Sequence, residues 1–473
     1  MPKKRMFNFE HSYLSLPSNF YNISKPSNLG NSSVLLFNKP LAKEIEVNFN
    51  YDLIPNLLHH KSFAQSYSGH QFGHFTNLGD GRAIVIGEHI SKNKRFDIQL
   101  KGSGKTKYSR GGDGKATLKS VIREYLMSEM LTNLGIKSSR SLAIIDTGEK
   151  IYRNELEKGG ILVRSMESHI RVGTFEFASY LGSIEDLRKL TNYVVKRLFP
   201  EIINTKNIPL SLLERVMNYQ IELVVSWKRV GFIHGVMNTD NISISGETID
   251  YGPCAFMNRY DHNTVYSSID KFGRYSFGNQ GIITKWNISR FAEALLPLIH
   301  NKKDEAIKLA QNTLNKFDDL WNKKFYEMMS KKIGFDKVDK EIIELIDKLL
   351  KIMQKHKFDY TNTFYNLYYD KIQTNKCTIE ETENWLKDWK KINKIYSNIE
   401  TSKLIMKKNN PWLIPRNHNI ESSINSAVNG DMKLLNNLIN SSTHSYDYNK
   451  VNLDLMTPPN EDYDQNYKTY CGT

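Results

Sequence analysis

The chain has 473 residues, 40% hydrophobic and 25% charged, the profile of a globular protein with two or three structural units and length enough to bury a large core. Lysine and arginine outnumber the acids by 65 to 51, for a net charge of +14. The Lys/Asn excess is spread through the C-terminal half without a patch or a nucleic-acid motif, so no dedicated nucleic-acid binding is expected. No apolar run reaches membrane-spanning length, and no apolar segment follows the basic start Met1-Pro2-Lys3-Lys4-Arg5. Cys254, Cys377 and Cys471 have no metal spacing. A monomer in a reducing, cytoplasmic setting is expected, the mitochondrion being the alternative for a eukaryotic source.

Residues 1–60 hold short mixed segments punctuated by Pro17, Pro26, Pro40 and Pro55, and read as loop-rich. In Ser68-Gly69-His70-Gln71-Phe72-Gly73-His74 the histidine spacing would suit a metal on a helix, but Gly69 and Gly73 argue against one, so a packed or hydrogen-bonded loop is expected. Leu78-Gly79-Asp80-Gly81-Arg82 is a glycine turn feeding the apolar run 83–88, a strand. Gly79 and Gly81 would let backbone N–H groups approach phosphate oxygens, with Arg82 as a forked donor. A second strand, 96–101, ends in Lys101, which could reach phosphates as a kinase strand lysine does.

Gly102-Ser103-Gly104-Lys105-Thr106 is not a Walker A loop, because Gln99 stands where its first glycine is required. The run Ser109-Arg110-Gly111-Gly112-Asp113-Gly114-Lys115 is longer than turn chemistry needs, and Asp113 could accept from a ribose or base. Apolar residues from Leu118 to Leu134 recur at helical spacing, with Gly135 as the stop, predicting a helix with one core face. Glu124 inside it is either an exposed glutamate or the partner of Lys101. Strands are expected at 142–145 and 161–164, and Arg164 and Arg171 bracket a segment suited to a polyphosphate or lie at the surface. Helices follow at 186–199 and 211–230.

The second of those helices delivers the chain to His234-Gly235-Val236-Met237-Asn238-Thr239-Asp240-Asn241, then to Ile249-Asp250-Tyr251-Gly252. Alternation at Ile242 and Ile244 and a turn at Gly246-Glu247 predict a hairpin that returns Asp250 to Asn241. Asn and Asp there either cap their own turns or supply hard oxygens for magnesium and phosphate. The protein-kinase pattern places an Asn five positions after the catalytic Asp and an Asp-Phe-Gly beyond. Asn241 and Asp250-Tyr251-Gly252 match it, but Val236 stands where the catalytic Asp belongs. Further helices are expected within 289–330, 339–355 and 379–396, and the final hundred residues read as a tail over the surface.

With Gly79 to Arg82, Leu100 to Gly104, Tyr108 to Gly114, Arg123 to Leu126, Ser168 to Glu176, His234 to Asn241 and Ile249 to Pro253 in order, the sequence resembles the selenoprotein O family, strongly over 60–290. Asn410-Pro411, Arg416-Asn417 and a cysteine third from the end extend the likeness weakly. The resemblance implies an α+β, protein-kinase-like two-lobed fold. Its division would be an N-terminal extension (1–60), an N-lobe (61–165), a helical C-lobe (166–400) and a C-terminal extension (401–473). It implies ATP bound in a flipped orientation and AMP transferred to Ser, Thr or Tyr hydroxyls of protein substrates. Lys101, held by Glu124, would bind phosphates; Gly79, Gly81, Arg82, Asp113, Gly114, Arg164, Arg171 and Asp250 would line the nucleotide. Asn241 and Asp250 would hold Mg2+ or Mn2+, and Asp240 would be the proton acceptor or a neighbour of it. A kinase moving the γ-phosphate and a silent nucleotide-binding scaffold remain alternatives. The partner cysteine expected for Cys471 is replaced by Tyr266, which puts a regulatory disulfide in doubt, with Cys254 as the other thiol near the site.

Overall fold

The computed structural model describes residues 6–470 apart from 28, 51, 59–60 and 373–378. Its N-terminal half is built on one antiparallel sheet. The strands are β1 (Phe9–Glu10), β2 (Tyr21–Ile23), β3 (Ser33–Phe37) and β4 (Phe63–Gln65); the hairpin β5 (Ser68–Gln71) and β6 (His74–Asn77) stands apart. The long members are β7 (Ala83–Ser91), β8 (Lys94–Lys101), β10 (Arg140–Tyr152) and β11 (Leu156–Met166), with the short β9 (Ala116–Thr117) on β11. The order is β2-β4-β7-β8-β11-β10-β3, with β1 on β7.

Side chains alternate across β8, so Ile98 and Leu100 enter a core with Ile86, Ile145, Ile161 and Val163. The same alternation turns Gln99 and Lys101 to the opposite face. The stretch expected to be loop-rich thus supplies three strands of this sheet. It also supplies the helices α1 (Lys39–Glu44) and α2 (Leu53–Leu58), whose Leu41, Ala42, Leu53 and Leu57 cover one face of it. Strands of two to five residues are too short for a period to register in the sequence, and the longer neighbours they pair with define them.

Helix α3 (Leu118–Asn133) starts on Thr117, whose hydroxyl accepts from Ser120 N, and ends before Gly135 at φ +75°. It is buried around most of its circumference, Met127, Ser128 and Glu129 included, instead of on one face. The sheet covers one side. The other packs on Ile420, Ile424, Leu435 and Leu438 of the C-terminal region.

The helical half comprises α4 (Val172–Tyr180), α5 (Ile184–Leu198), α6 (Ile208–Arg229), α7 (Gln280–Ile299), α8 (Lys303–Leu314), α9 (Phe317–Lys332), α10 (Lys340–His356), α11 (Tyr360–Leu367) and α12 (Glu380–Tyr396). Between α6 and α7 a two-stranded ribbon, β12 (Phe232–Ile233) and β13 (Ala255–Phe256), closes the loop that carries the central motif.

The last hundred residues are not a tail over the surface. They form α13 (Ile399–Asn409), α14 (Asn417–Val428), α15 (Lys433–Ser442) and three short turns of helix, and they bury Trp412, Leu413 and Arg416. Arg416, 1% exposed, pairs with Asp359 at 2.8 Å and donates to Asn258 Oδ1 at 2.6 Å and Met456 O at 2.8 Å. Asp359 in turn caps α11 through Asn362 N. Cutting Arg416 to alanine would leave a partly buried carboxylate and two oxygens without their donor. Arg416→Ala is therefore expected to lower the unfolding free energy by about 3–5 kcal/mol, read from the shift of a urea midpoint.

Candidate active site

The alternation that turns Lys101 out of the core aims it at helix α3. Its Nζ lies 2.5 Å from Glu124 Oε2 and 3.4 Å from Asp250 Oδ1. Glu124 gives its other oxygen to Arg164 Nη1 at 2.8 Å, and Arg164 Nε donates to Gln99 Oε1 at 2.7 Å. Register explains the last contact, since Arg164 on β11 is the cross-strand partner of Gln99 on β8. Burial alone would raise the Glu124 pKa, but Lys101 and Arg164 overcome it and hold the carboxyl below its usual range. Glu124 is the partner of Lys101, not an exposed surface acid.

The expected hairpin over 242–250 does not form. Thr239–Asn241 is a single 3-10 turn, and the chain beyond it is held by isolated bridges, Ser243 to Arg171 and Thr248 to Ser138. Flanking elements thus replace strand pairing within the segment, which is why its short alternation misleads. Asp250 nevertheless returns to the cavity. It adopts a left-handed backbone, φ +68°, which aspartate tolerates better than most residues. Burial would raise its pKa, yet Lys101 and Arg82 hold it well below the usual carboxylate range.

One cavity of about 410 Å³ is lined by Gly79, Gly81, Arg82, Lys101, Asp113, Gly114, Arg164, Arg171, Asp240, Asn241 and Asp250. Glu124 stands behind Lys101. The two glycine stretches meet at its mouth. A Cβ on Gly79 would lie 2.4 Å from the Tyr108 ring, and one on Gly114 would lie 2.1 Å from Gly104 O, so the loops close only without side chains there. Asp113 accepts a forked pair from Arg153 at 2.9 and 3.0 Å and caps Lys115 N. Its oxygens are engaged at the rim.

Arg171 sits deeper. Its Nη1 donates to Asp240 O at 3.1 Å, its guanidinium lies 4.3 Å from the Tyr67 ring, and Asp80 Oδ1 is 3.7 Å from Nη2. Among the described residues Nη2 has no hydrogen-bond partner, and neither has the buried Asp240 Oδ1. An orphaned cationic donor and an orphaned carboxylate oxygen in one cavity are costly unless a ligand answers them. Burial pushes the Asp240 carboxyl up to about 7, with Arg171 opposing.

Asn241 donates Nδ2 to Val236 O at 3.1 Å, so Oδ1 is the end that would face an ion. With the Asp250 carboxylate this makes two hard oxygen donors, and they fit Mg2+ or Mn2+. Among the described residues no group of three His, Cys, Asp or Glu could hold a metal. An ion here would take the rest of its shell from water and phosphate.

Several residues of the site were not singled out from the sequence. Asp80 accepts from Gln99 Nε2 at 3.1 Å and from Gln65 N, and faces Arg171. Its place between Gly79 and Gly81 was a usable signal, as was the two-residue spacing of Gln99 from Lys101. Arg123, beside Glu124, donates to Gly252 O at 3.2 Å and Cys254 O at 2.7 Å, and pairs with Glu421 of α14 at 2.9 Å. Only the folded chain brings those together. The Ser68–His74 stretch is a hairpin whose His70 Nδ1 meets Glu176 at 2.6 Å. Cys254 is fully buried and burial pushes its thiol up to about 12, so it is poorly suited to exchange. Tyr266 is also buried, its carbonyl accepting from Thr469 N, and Cys471 and Cys377 lie outside the described residues.

A sheet lysine paired to a helix glutamate, beside an Asn and an Asp-Tyr-Gly aspartate at the lobe junction, defines a protein-kinase-like fold with valine at the usual base position. The chain belongs to the family described as "Protein adenylyltransferase SelO", which it matches over residues 4–443. Among similar proteins, the "Protein nucleotidyltransferase YdiU" of Clostridium perfringens (strain SM101) is 47% identical, covering 99% of this chain and 98% of that one. The like-named proteins of Pelagibacter ubique, 46% identical over 99% of both chains, and Bacillus cereus (strain AH820), 45% identical over 99% and 98%, are also similar. A solved structure, ROP2 from Toxoplasma gondii, described as a virulence factor with a protein-kinase fold and no enzymatic activity, superposes at a TM-score of 0.26. It is 9% identical, covering 71% of this chain and 87% of that one. Among the described residues no helix is long and apolar enough to cross a membrane.

The Asp240 environment sets a pH signature. Its folded pKa of about 7 lies above the unfolded value, so the folded chain holds the extra proton between about pH 4 and 7 and stability falls as pH rises through that window. Without nucleotide or metal, Asp240→Asn is expected to raise the unfolding free energy near pH 8 by at most about 4 kcal/mol. The gain should vanish near about pH 4, as read from urea midpoints at each pH.

Proposed function

We propose that this chain binds ATP with a divalent metal in the Lys101 cavity and transfers AMP to Ser, Thr or Tyr hydroxyls of proteins, releasing pyrophosphate. The observation that carries the reading is the junction itself: Lys101 between Glu124 and Asp250, with Arg82, Arg164 and Arg171 lining the same cavity as Asp240 and Asn241. With Arg110, Lys115 and Arg153 the lining carries seven cations against the four carboxylates of Asp80, Asp113, Asp240 and Asp250, five with Glu124, and that excess suits a triphosphate. Family membership and relatives named as protein nucleotidyltransferases support the same class of reaction.

In the reaction the acceptor hydroxyl oxygen attacks the α-phosphorus, a new P–O bond forms, and the bond to the bridging oxygen breaks with its electrons leaving on pyrophosphate. Asp240 would take the hydroxyl proton. Its Oδ1 is buried and without a hydrogen-bond partner among the described residues, and burial raises its basicity toward neutrality. Lys101, oriented by Glu124, and the three arginines would offset charge on the phosphates, while Asn241 and Asp250 would hold the metal. When bound, Mg2+ or Mn2+ supplies Lewis-acid polarisation of the phosphoryl oxygens. Val236, where a kinase carries its base, disfavours γ-phosphate transfer.

ATP labelled at the α or the γ position, incubated with dephosphorylated casein and Mg2+ or Mn2+, tests the reading. Protein-bound label from the α position alone is expected; label from γ alone would make the chain a kinase, and label from neither a nucleotide-binding scaffold. Asp250→Ala is expected to reduce transfer by at least about 10²-fold, and an unchanged rate would remove Asp250 from the metal site.

A further inference from the structure

The hairpin β5–β6 supplies no group to the transfer step, yet it lies directly on the turn that carries Asp240. A Cβ on Gly69 would sit 2.3 Å from Asp240 Oδ1. On the opposite side a Cβ on Gly173, in the first turn of α4, would sit 1.9 Å from Ser68 O and 3.3 Å from Asp240 Cα. Hairpin, helix and turn thus close on one another at contact distance, and only because two side chains are missing.

Three hydrogen bonds join the same elements into a closed ring. His70 N on the hairpin donates to Thr239 Oγ1 at 2.7 Å, and the Thr239 hydroxyl donates to Glu176 Oε2 on α4 at 2.6 Å. Glu176 Oε1 returns to His70 Nδ1 at 2.6 Å. Glu176 and Thr239 are fully buried, and Trp286 and Phe75 meet the His70 ring edge-on, each 5.4 Å away between centroids. A second contact lies one residue earlier, where Asn238 Oδ1 accepts from Phe72 N at 3.0 Å and from the Tyr275 hydroxyl at 2.5 Å.

Thr239, Asp240 and Asn241 are consecutive residues of one 3-10 turn, so whatever fixes Thr239 fixes the other two. The Asp240 carboxylate does not anchor the turn through Oδ1, which has no partner among the described residues; the residue is held by its backbone oxygen, which accepts from Arg171. We infer that His70, Glu176 and Thr239 are positioning residues, a buried ring that holds the Asp240-Asn241 turn at the geometry the transfer step needs. This rests on the role given to Asp240 under the proposed function. None of the three touches the reacting atoms. They act through the turn, where a displacement of about 1 Å costs about 10²-fold in rate.

Thr239→Val keeps the side-chain volume and removes both hydroxyl hydrogen bonds, whereas Thr239→Ser keeps them. With α-labelled ATP and dephosphorylated casein, Thr239→Val is expected to lower kcat about 30- to 100-fold with the KM for ATP within about twofold, and Thr239→Ser to stay within about threefold of wild type. Amide hydrogen exchange of the nucleotide-free chain reads the ring without any reaction. Exchange at 238–242 should quicken at least about tenfold in Thr239→Val and remain slow in Thr239→Ser and in wild type. Should Thr239→Val fail to fold, Glu176→Gln, which can keep the ring, against Glu176→Leu, which cannot, carries the same two expectations. Turn amides as slow in the broken-ring variant as in wild type, or a kcat within about twofold of it, overturn the inference. A wild-type chain that transfers no AMP overturns the proposed function, while the exchange contrast still decides whether the ring holds the turn.

Discussion

A lysine amine between two carboxylates, one from each half of the molecule, is the contact on which the remaining geometry turns. Lys101 reaches Glu124 within the sheet half and Asp250 in the loop of the helical half, so one amine bridges the two halves across the cavity. Burial works against the ionised form of both carboxylates, and the cations beside them outweigh it. The arginines that offset them are themselves held in place, Arg164 by Gln99 and Glu124, Arg171 by Asp240 O and the Tyr67 ring. A set of cations that would repel one another in an empty pocket is kept together by acids interleaved among them.

That interleaving separates the site from an ordinary ion-pair network. Saturated pairs have little left to offer a ligand. Here, among the described residues, Arg171 Nη2 and Asp240 Oδ1 lack a hydrogen-bond partner, and both belong to residues anchored through other atoms, Arg171 by Nη1 and Nε, Asp240 by its backbone oxygen. Each can therefore turn to a ligand without first breaking a hydrogen bond at that atom, although Nη2 still faces Asp80 at 3.7 Å. Pre-organised donors of this kind contribute most when charge develops beside them, since no reorganisation has to accompany it.

Much of this was legible in the sequence, and the rest was hidden for physical reasons. Lys101 at the end of an alternating strand and Glu124 on a helix whose start and stop are marked could be read from local pattern, because period and capping are local properties. The path from Asn241 to Asp250 could not: short alternation predicted a hairpin, but the segment is fastened by Arg171 and Ser138, more than sixty residues away in each case. The N-terminal strands were hidden for a related reason, being defined by the long strands they pair with. Asp113 stood in the right loop, but its forked pair with Arg153 comes from the turn joining β10 and β11, which no local pattern announces. The burial of α3 on its second side depends on residues three hundred positions later.

Arg123 ties the cleft to that late covering. One guanidinium touches Gly252 and Cys254 beside the cavity and Glu421 and Tyr467 near the end of the chain. A polypeptide still emerging from the ribosome already carries every cation and acid of the cleft, but it lacks Glu421, Tyr467 and the apolar cover of α14 and α15. The helix bearing Glu124 then has one greasy side open to water and Arg123 only half held. The cations and acids of the cleft are encoded early, and the cover that completes the helix bearing Glu124 is encoded last.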